Sequence, residues 1–327
     1  MTAPSKAAPR PRVLVTRAVF PEHLERLVGH FEIEPNQGDE PIAADELARR
    51  VEGIDGLLVA GGDRVDARLL DHASMLRAVS TISVGTNHID LSACSERSIV
   101  VTNTPDVLTE TTADFGWALM MAAARRVTES EQWLRAGHWR RWSLDQFLGA
   151  DVHHATLGIL GMGRIGQALA HRAAGFSMRV LYHNRSRLSE AVEAECQASY
   201  VSRDALFEQS DHLILVLPYT QDNHHIVGSA QLGRMKPTAT LINIARGGLI
   251  DEEALADALG SGRLGAAGLD VFEGEPKINP RILELKNVAL TPHLGSASRA
   301  TRYAMGMLAI ENLIEALAGK EPPNRVA

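Results

Sequence analysis

From residue 155 onward one pattern recurs in the chain. Apolar runs, "ATLGILG" (155–161), "MRVLYHN" (178–184), "HLILVLP" (212–218), "TLINIA" (240–245), "GAAGLDVF" (265–272) and "NVALTP" (287–292), are separated by breaks and helix-length segments. Three of those segments, "RIGQALAHRAAG", "RDALFEQ" and "DEEALADALGSG", read as helices. A strand that is apolar throughout must be covered on both faces, and strands alternating with helices form parallel sheets. A second set lies earlier: "RVLVT" (12–16), "GLLVA" (56–60) and "LRAVSTISV" (76–84), with helical stretches such as "PEHLERLVGHF" between them. The spacing also predicts one long, mostly buried helix over 107–126, with Thr109 or Thr111 as its cap, and an amphipathic helix over 301–320. There is no internal repeat and no low-complexity tract. A chain of 327 residues is long enough for two domains at about 150 residues each.

Composition excludes several classes. With a net charge of -7 there is no basic surplus to point to nucleic acid or an anionic membrane. The longest apolar runs, such as "ALMMAAA" (118–124), fall far short of the ~20 residues of a membrane span. The opening "MTAPSKAAPRPR" lacks the apolar core of a signal peptide, and its first ten or so residues read as a loose tail. Cys94 and Cys196 lie in neither a redox nor a zinc spacing. Free thiols in a reducing cytoplasm and no metal site are the expectation.

The break after the first of the central strands is "GMGRIG" (161–166). Gly161 allows a tight turn, Gly163 lets backbone approach a pyrophosphate, and Gly166 lets the following helix pack on the strand. The free amides at the helix start, around Arg164 and Ile165, then face the phosphates. Strand, glycine turn, helix and second strand together point to dinucleotide binding. An NAD site normally carries an acidic residue about 20 positions on, to hold the ribose hydroxyls. Here the second strand ends in Asn184, Arg185, Ser186 and Arg187. A carboxylate would repel a 2′-phosphate, whereas guanidinium forks and a hydroxyl bind one. The expectation is NADP(H), with NAD(H) used at lower efficiency.

Three later runs place polar groups just past strand ends, the edge where ligands bind in open parallel sheets. "LINIARGG" offers Arg246, "GLDVFEGEP" offers Asp270 and Glu275, and "LTPHLGS" offers His293. The ordered set "GMGRIG", "INIARGG", "GLDVFEGEP" and "TPHLGS" resembles the D-2-hydroxyacid dehydrogenase family over nearly the whole chain. "VGTNHIDL" (84–91) and "TPDVLTETTAD" (104–114) are similar to that family's substrate loop and hinge region. A finer resemblance, carried by "STISVG", "VLTET", "DVHHATLGILGMGRIG" and "GLDVFEGEP", is to its bacterial glyoxylate/hydroxypyruvate reductases of type B, or 2-ketogluconate reductases.

The resemblance implies two doubly wound parallel-sheet α/β domains. One is a Rossmann-type cofactor domain over 104–296; the other is a flavodoxin-like substrate domain from 1–103 and 297–327, with a hinge between them. It implies NADPH-dependent reduction of small 2-keto acids, and the chemistry agrees. Arg246 would hold the substrate carboxylate and polarise its carbonyl, and His293 would protonate the carbonyl oxygen. Glu275 would keep that histidine charged and oriented. Asp270 would accept hydrogen bonds near the nicotinamide, and the Val84 and Gly85 amides would bind the substrate carboxylate. Further cofactor contacts are implied at Thr112, Met162, Leu217, Pro218, Ile244, Ala245 and Gly295. Two positions depart from the family: Asn87 replaces the common Asp, and Asn223 stands where relatives often show Thr. A phosphoglycerate, formate or phosphite dehydrogenase is the rival enzyme on this scaffold, and Glu275 argues against formate. A dinucleotide-sensing corepressor is the rival binding protein.

The stretch 127–150 carries Trp133, Trp139 and Trp142 and interrupts the chain before the glycine turn. It fits either core filling beneath a loop or an arm that pairs two subunits as a homodimer.

Overall fold

The computed structural model of the chain describes residues 10–327, so all but the last of the ten tail residues lie outside it. The chain opens with β1 (Arg12–Val15), α1 (Pro21–Val28), β2 (Glu32–Pro35), α2 (Ala44–Arg50), β3 (Gly56–Val59), α3 (Ala67–Leu70), β4 (Ala78–Thr81), α4 (Leu91–Glu96) and β5 (Val100–Thr102). It continues through α5 (Thr109–Ala124), α6 (Val127–Arg135), β6 (Thr156–Leu160), α7 (Arg164–Ala174), β7 (Arg179–His183), α8 (Glu190–Glu195), β8 (Ala198–Tyr200) and α9 (Arg203–Gln209). Then come β9 (His212–Leu215), α10 (Ser229–Arg234), β10 (Thr240–Asn243), α11 (Glu252–Gly260), β11 (Ala266–Leu269), α12 (Pro280–Leu283), β12 (Val288–Leu290) and α13 (Arg299–Leu317).

Two compact units result, the chain through Leu108 with Ser298–Ala327, and Thr109–Ala297. The crossings fall at Leu108–Thr109 and Ala297–Ser298, not at 103–104 and 296–297. The first shift has a plain cause: Asn103 and Thr104 still donate backbone hydrogen bonds to Asn324 and Ser83 of the first unit.

The first unit holds a five-stranded parallel sheet in the order β2-β1-β3-β4-β5, the flavodoxin-like arrangement. Alternate residues of each strand face opposite sides. Leu14, Leu57, Val79 and Val101 pack with Leu47, Leu69 and Cys94 of α2, α3 and α4. Val13, Val15, Leu58 and Ala78 pack with Leu27 of α1 and Ile310 and Leu313 of α13. Helix starts are fixed by short polar side chains, as expected of N-caps: Asp90 accepts from the Ala93 amide at 2.9 Å and Ser298 from Thr301 at 3.1 Å.

The second unit holds a seven-stranded parallel sheet in the order β12-β11-β10-β9-β6-β7-β8. Its first six strands in chain order follow the Rossmann pattern, with β12 added at the edge. Ile159, Tyr182, Ile214 and Ile242 face α5 and α7, while Leu160, Leu181, Leu215 and Leu241 face α9, α10 and α11. The long helix expected over 107–126 ends at Ala124, because Arg126 turns left-handed (φ 55°) and α6 starts anew. Thr111 lies inside the first turn of α5 rather than capping it. Among the described residues no helix is long and apolar enough to cross a membrane. Cys94 and Cys196 are buried and unpaired.

Candidate active site

The glycine turn is built on backbone contact. After β6 the chain turns at Gly161 (φ +105°), where a Cβ would lie 2.7 Å from the Leu217 amide nitrogen. Only glycine combines that angle with that approach. A Cβ on Gly166 would stand 2.5 Å from the Gly161 carbonyl oxygen, so its absence lets α7 close on the turn. Gly163 meets nothing within 4 Å on its side-chain face, and no side chain caps α7. The helix start is therefore open on its glycine face and carries no side-chain cap, the kind of backbone a phosphate can approach. Strand order reverses beside β6, whose neighbours are β7 and β9. Leu217, just past β9, has its backbone against Gly161 at this switch point, and Pro218 follows it in the chain. Met162 is buried, leaving its backbone to face the turn.

The strand end at Asn184 is tied to the same turn. Asn184 Oδ1 accepts from the Met162 amide at 2.6 Å, a link across 22 residues that sequence reading did not anticipate. Arg185 and Ser186 are exposed beside it. Arg187 is used differently. Its guanidinium grips Glu193 with two bonds of 2.8 and 2.7 Å, and Tyr182 donates to the same carboxylate at 2.6 Å. Hydrogen bonds from Arg187 and Tyr182 pull the Glu193 carboxyl down to about 2. Of the two arginines credited with extra charge, Arg187 is thus already paired.

The reacting groups converge at the ends of β10, β11 and β12. Asn243, the last residue of β10, accepts from the Ala245 amide at 3.0 Å and donates to the Arg246 carbonyl at 2.8 Å. This closes the turn that aims Arg246. The Ile244 and Ala245 side chains are buried, and the Ala245 carbonyl accepts from Arg246 Nη1 at 2.6 Å. Burial lowers the Arg246 guanidinium and the Glu275 charge opposes that. The group stays cationic regardless. Gly247 fits directly against the Phe272–Glu273 peptide, where a Cβ would overlap it.

His293 Nδ1 and Glu275 Oε2 lie 2.8 Å apart. The other oxygen, Oε1, accepts from the Phe272 amide at 2.8 Å. Burial works to raise the Glu275 carboxyl. The bonds from His293 and Phe272, with the His293 and Arg246 charges, outweigh it and hold the group below the usual carboxylate range. The carboxylate is therefore ionised and orients the ring through Nδ1, which leaves Nε2 to face outward. Half the His293 side chain is exposed.

Asp270 lies just past the end of β11, beneath the His293 loop. It is 1% exposed, and both oxygens are engaged by the loop that carries His293. Oδ1 accepts from Thr291 Oγ1 and the Leu294 amide, each at 2.7 Å, and Oδ2 from the Gly295 amide at 2.8 Å. Burial raises its carboxyl from the ordinary aspartate value, with those bonds opposing. Gly295 in turn lies against Thr112, whose Cγ2 would be 3.4 Å from a Cβ there. Thr112, Asp270 and Gly295 thus form one cluster.

Val84 and Gly85 belong to the first unit, in the loop after β4. That loop is held by groups the sequence reading passed over. Ser83 Oγ donates to the Gly85 carbonyl at 2.7 Å, Asn103 Nδ2 to the Val84 carbonyl at 2.8 Å, and Thr81 Oγ1 bonds both Ser83 and His88. Asn223, the other departure noted in the sequence, closes its own loop. It accepts from the Thr220 amide and donates to the Pro218 carbonyl, both at 2.8 Å.

The stretch 127–150 is not core filling. α6 occupies its first third, and Trp133 packs edge-on to Phe147 at 5.3 Å. Trp142 and Leu144 are 74% and 81% exposed, with Trp139 and Leu148 also exposed.

Residues 117–295 match the sequence profile of the D-isomer specific 2-hydroxyacid dehydrogenase, NAD binding domain. This chain belongs to that family. It is 44% identical to the glyoxylate reductase of Thermococcus gammatolerans, over 97% of this chain and 96% of that one. It is 45% identical to the glyoxylate/hydroxypyruvate reductase B of Yersinia pestis, over 97% of each. Among solved structures it is similar to the NADPH-dependent glyoxylate/hydroxypyruvate reductase of Sinorhizobium meliloti in complex with NADP and malonate. The TM-score is 0.86 at 34% identity, over 97% of both chains. As a 2-hydroxyacid dehydrogenase the chain is an oxidoreductase with an NAD(P)-binding domain, and the seven-stranded sheet is that domain.

Proposed function

We propose that the protein reduces small 2-keto acids, of which glyoxylate, hydroxypyruvate and 2-ketogluconate are the candidates, to D-2-hydroxy acids. NADPH is the preferred reductant, with NADH used less efficiently. The observation that carries this reading is the ionised Glu275 held 2.8 Å from His293, with Arg246 nearby at a neighbouring strand end. When bound, the reduced nicotinamide supplies the hydride. The chain's own groups do the rest. The glycine turn and the open start of α7 fit a pyrophosphate, and Arg185, which has no acidic partner among the described residues, suits a 2′-phosphate. Arg246 holds the carboxylate and polarises the keto oxygen, Val84 and Gly85 contribute amides to the carboxylate, and His293 delivers the proton to the oxygen as it gains charge. Glu275 orients that imidazole through Nδ1.

His293→Ala tests the assignment. It should lower kcat for glyoxylate reduction by roughly 10²–10⁴-fold, the usual contribution of a general acid, while NADPH binding followed by fluorescence stays near wild type. Undiminished turnover would refute it. A pure dinucleotide sensor, the corepressor reading, would show no turnover in the wild type. The exposed Trp142–Leu144 face supports a homodimer, and the two unpaired thiols suit a cytoplasmic location.

A further inference from the structure

Two loops of the second unit bring together three donors that the reaction does not use. His224 and His225 follow β9, and Glu273 follows β11. Their ligand atoms all lie within 4.8 Å of one another. His225 Nε2 is 2.8 Å from Glu273 Oε2, and His224 Nε2 is 3.7 Å from Oε1. The two rings stack at 3.8 Å, so both Nε2 atoms address one carboxylate. Ligands around a tetrahedral ion at ~2.0–2.1 Å stand about 3.3 Å apart. The 2.8 and 3.7 Å separations straddle that value, and small side-chain shifts would admit an ion.

The surroundings are those of a supported ligand set. The other nitrogen of His224, Nδ1, meets the Tyr219 hydroxyl at 3.1 Å. A partner of this kind fixes tautomer and ring direction at metal sites. Gly248 gives the ring its seat, since a Cβ there would lie 3.4 Å from His224 Nδ1 and 2.9 Å from the Tyr219 ring. The Glu273 amide donates to Glu252 Oε1 at 2.8 Å, which anchors the carboxylate's backbone and adds negative charge nearby. All three side chains are partly exposed, which leaves an entry path and room for water in a fourth position.

We propose that His224, His225 and Glu273 bind one divalent transition-metal ion. Two imidazoles and one carboxylate suit Zn²⁺ or Ni²⁺; they do not suit Ca²⁺ or Mg²⁺, which need an all-oxygen shell. The bound ion replaces the His225–Glu273 hydrogen bond and ties the β9 loop to the segment that leads into Glu275.

The test uses the full chain, stripped with chelator and titrated calorimetrically with ZnCl₂, NiCl₂ and CaCl₂. The readout is binding, so it stands or falls independently of turnover. One Zn²⁺ per chain is expected, with no heat from Ca²⁺. His225→Ala and Glu273→Gln should each weaken Zn²⁺ binding at least tenfold. Tyr219→Phe keeps every ligand and should still weaken it by roughly 10–100-fold. Thermal melts of the metal-free variants check that each is folded. A wild type that takes up no Zn²⁺, or variants that bind it as tightly as wild type, would overturn the proposal; the second result would mark adventitious surface binding.

Discussion

Asp270→Asn is the most informative single change near the site. Asparagine has the shape of aspartate but offers one acceptor oxygen in place of two. If its oxygen keeps the Thr291 and Leu294 donors, its NH₂ must face the Gly295 amide across the present 2.8 Å. Two donors then confront each other in a position that is 1% exposed. A buried donor without a partner costs about 1–3 kcal/mol, and here there are two. Removing a buried charge offsets part of that loss, since burial already raises the Asp270 carboxyl. The net expectation is a destabilisation of about 1–5 kcal/mol, taken from the loop on which His293 sits. Hydrogen exchange is the direct assay: the Leu294 and Gly295 amides should lose protection while the β6 amides keep theirs. Turnover should fall as the imidazole loses its fixed place. Unchanged protection at Gly295 would refute the reasoning, because the amide would then have found an acceptor that the native geometry does not supply.

Three further outcomes follow from the same contacts. Asn184→Asp combined with Arg185→Ala should lower kcat/KM for NADPH and spare or improve that for NADH. An aspartate oxygen can still accept from Met162, so the turn survives and charge alone changes; a wild type that already uses both cofactors equally would exclude the idea. Glu275 has a folded pKa below its unfolded value, so its contribution to stability is present above the unfolded value and is lost as pH falls through the folded one. Denaturant titrations between pH 3 and 6 should show that acid slope in wild type and a shallower one in Glu275→Gln. For the Trp142 face, light scattering should report about twice 35.4 kDa for wild type, with Trp142→Ser shifting the balance toward monomer; a monomeric wild type at micromolar concentration would remove the arm's role.

The interior strands were legible because burial on both faces leaves them continuously apolar. The edges were not. β2 reads Glu32-Ile33-Glu34-Pro35, with one aliphatic side chain and a proline that an edge strand tolerates. β8, at the far edge of the other sheet, is only Ala198–Tyr200. Short helices such as α8 and α12 carry too few residues to establish a period. α6 escaped because Val127, Trp133 and Leu134 are its only large apolar side chains and none of its residues is buried. The break between α5 and α6 depends on one left-handed arginine, which no periodicity signals.

Residue type and position after a strand were enough to single out Arg246, Glu275 and His293, since parallel strands deliver their carboxyl ends to one edge. Partnership between distant side chains was not legible, and it changes the reading most at the ribose end. Sequence offered two guanidiniums there. Arg187 proves to be committed to Glu193, a residue six positions on that a helical turn and the Tyr182 hydroxyl bring to it. On the proposed function, discrimination between the two cofactors falls to Arg185, to the missing carboxylate at Asn184, and to whatever Ser186 adds. One charge-assisted contact is worth roughly 1.5–3 kcal/mol, which is about 10–150-fold in affinity. A preference of that size, not an absolute one, is what one contact from Arg185 can impose. It is also why NADH should retain measurable turnover in the wild type.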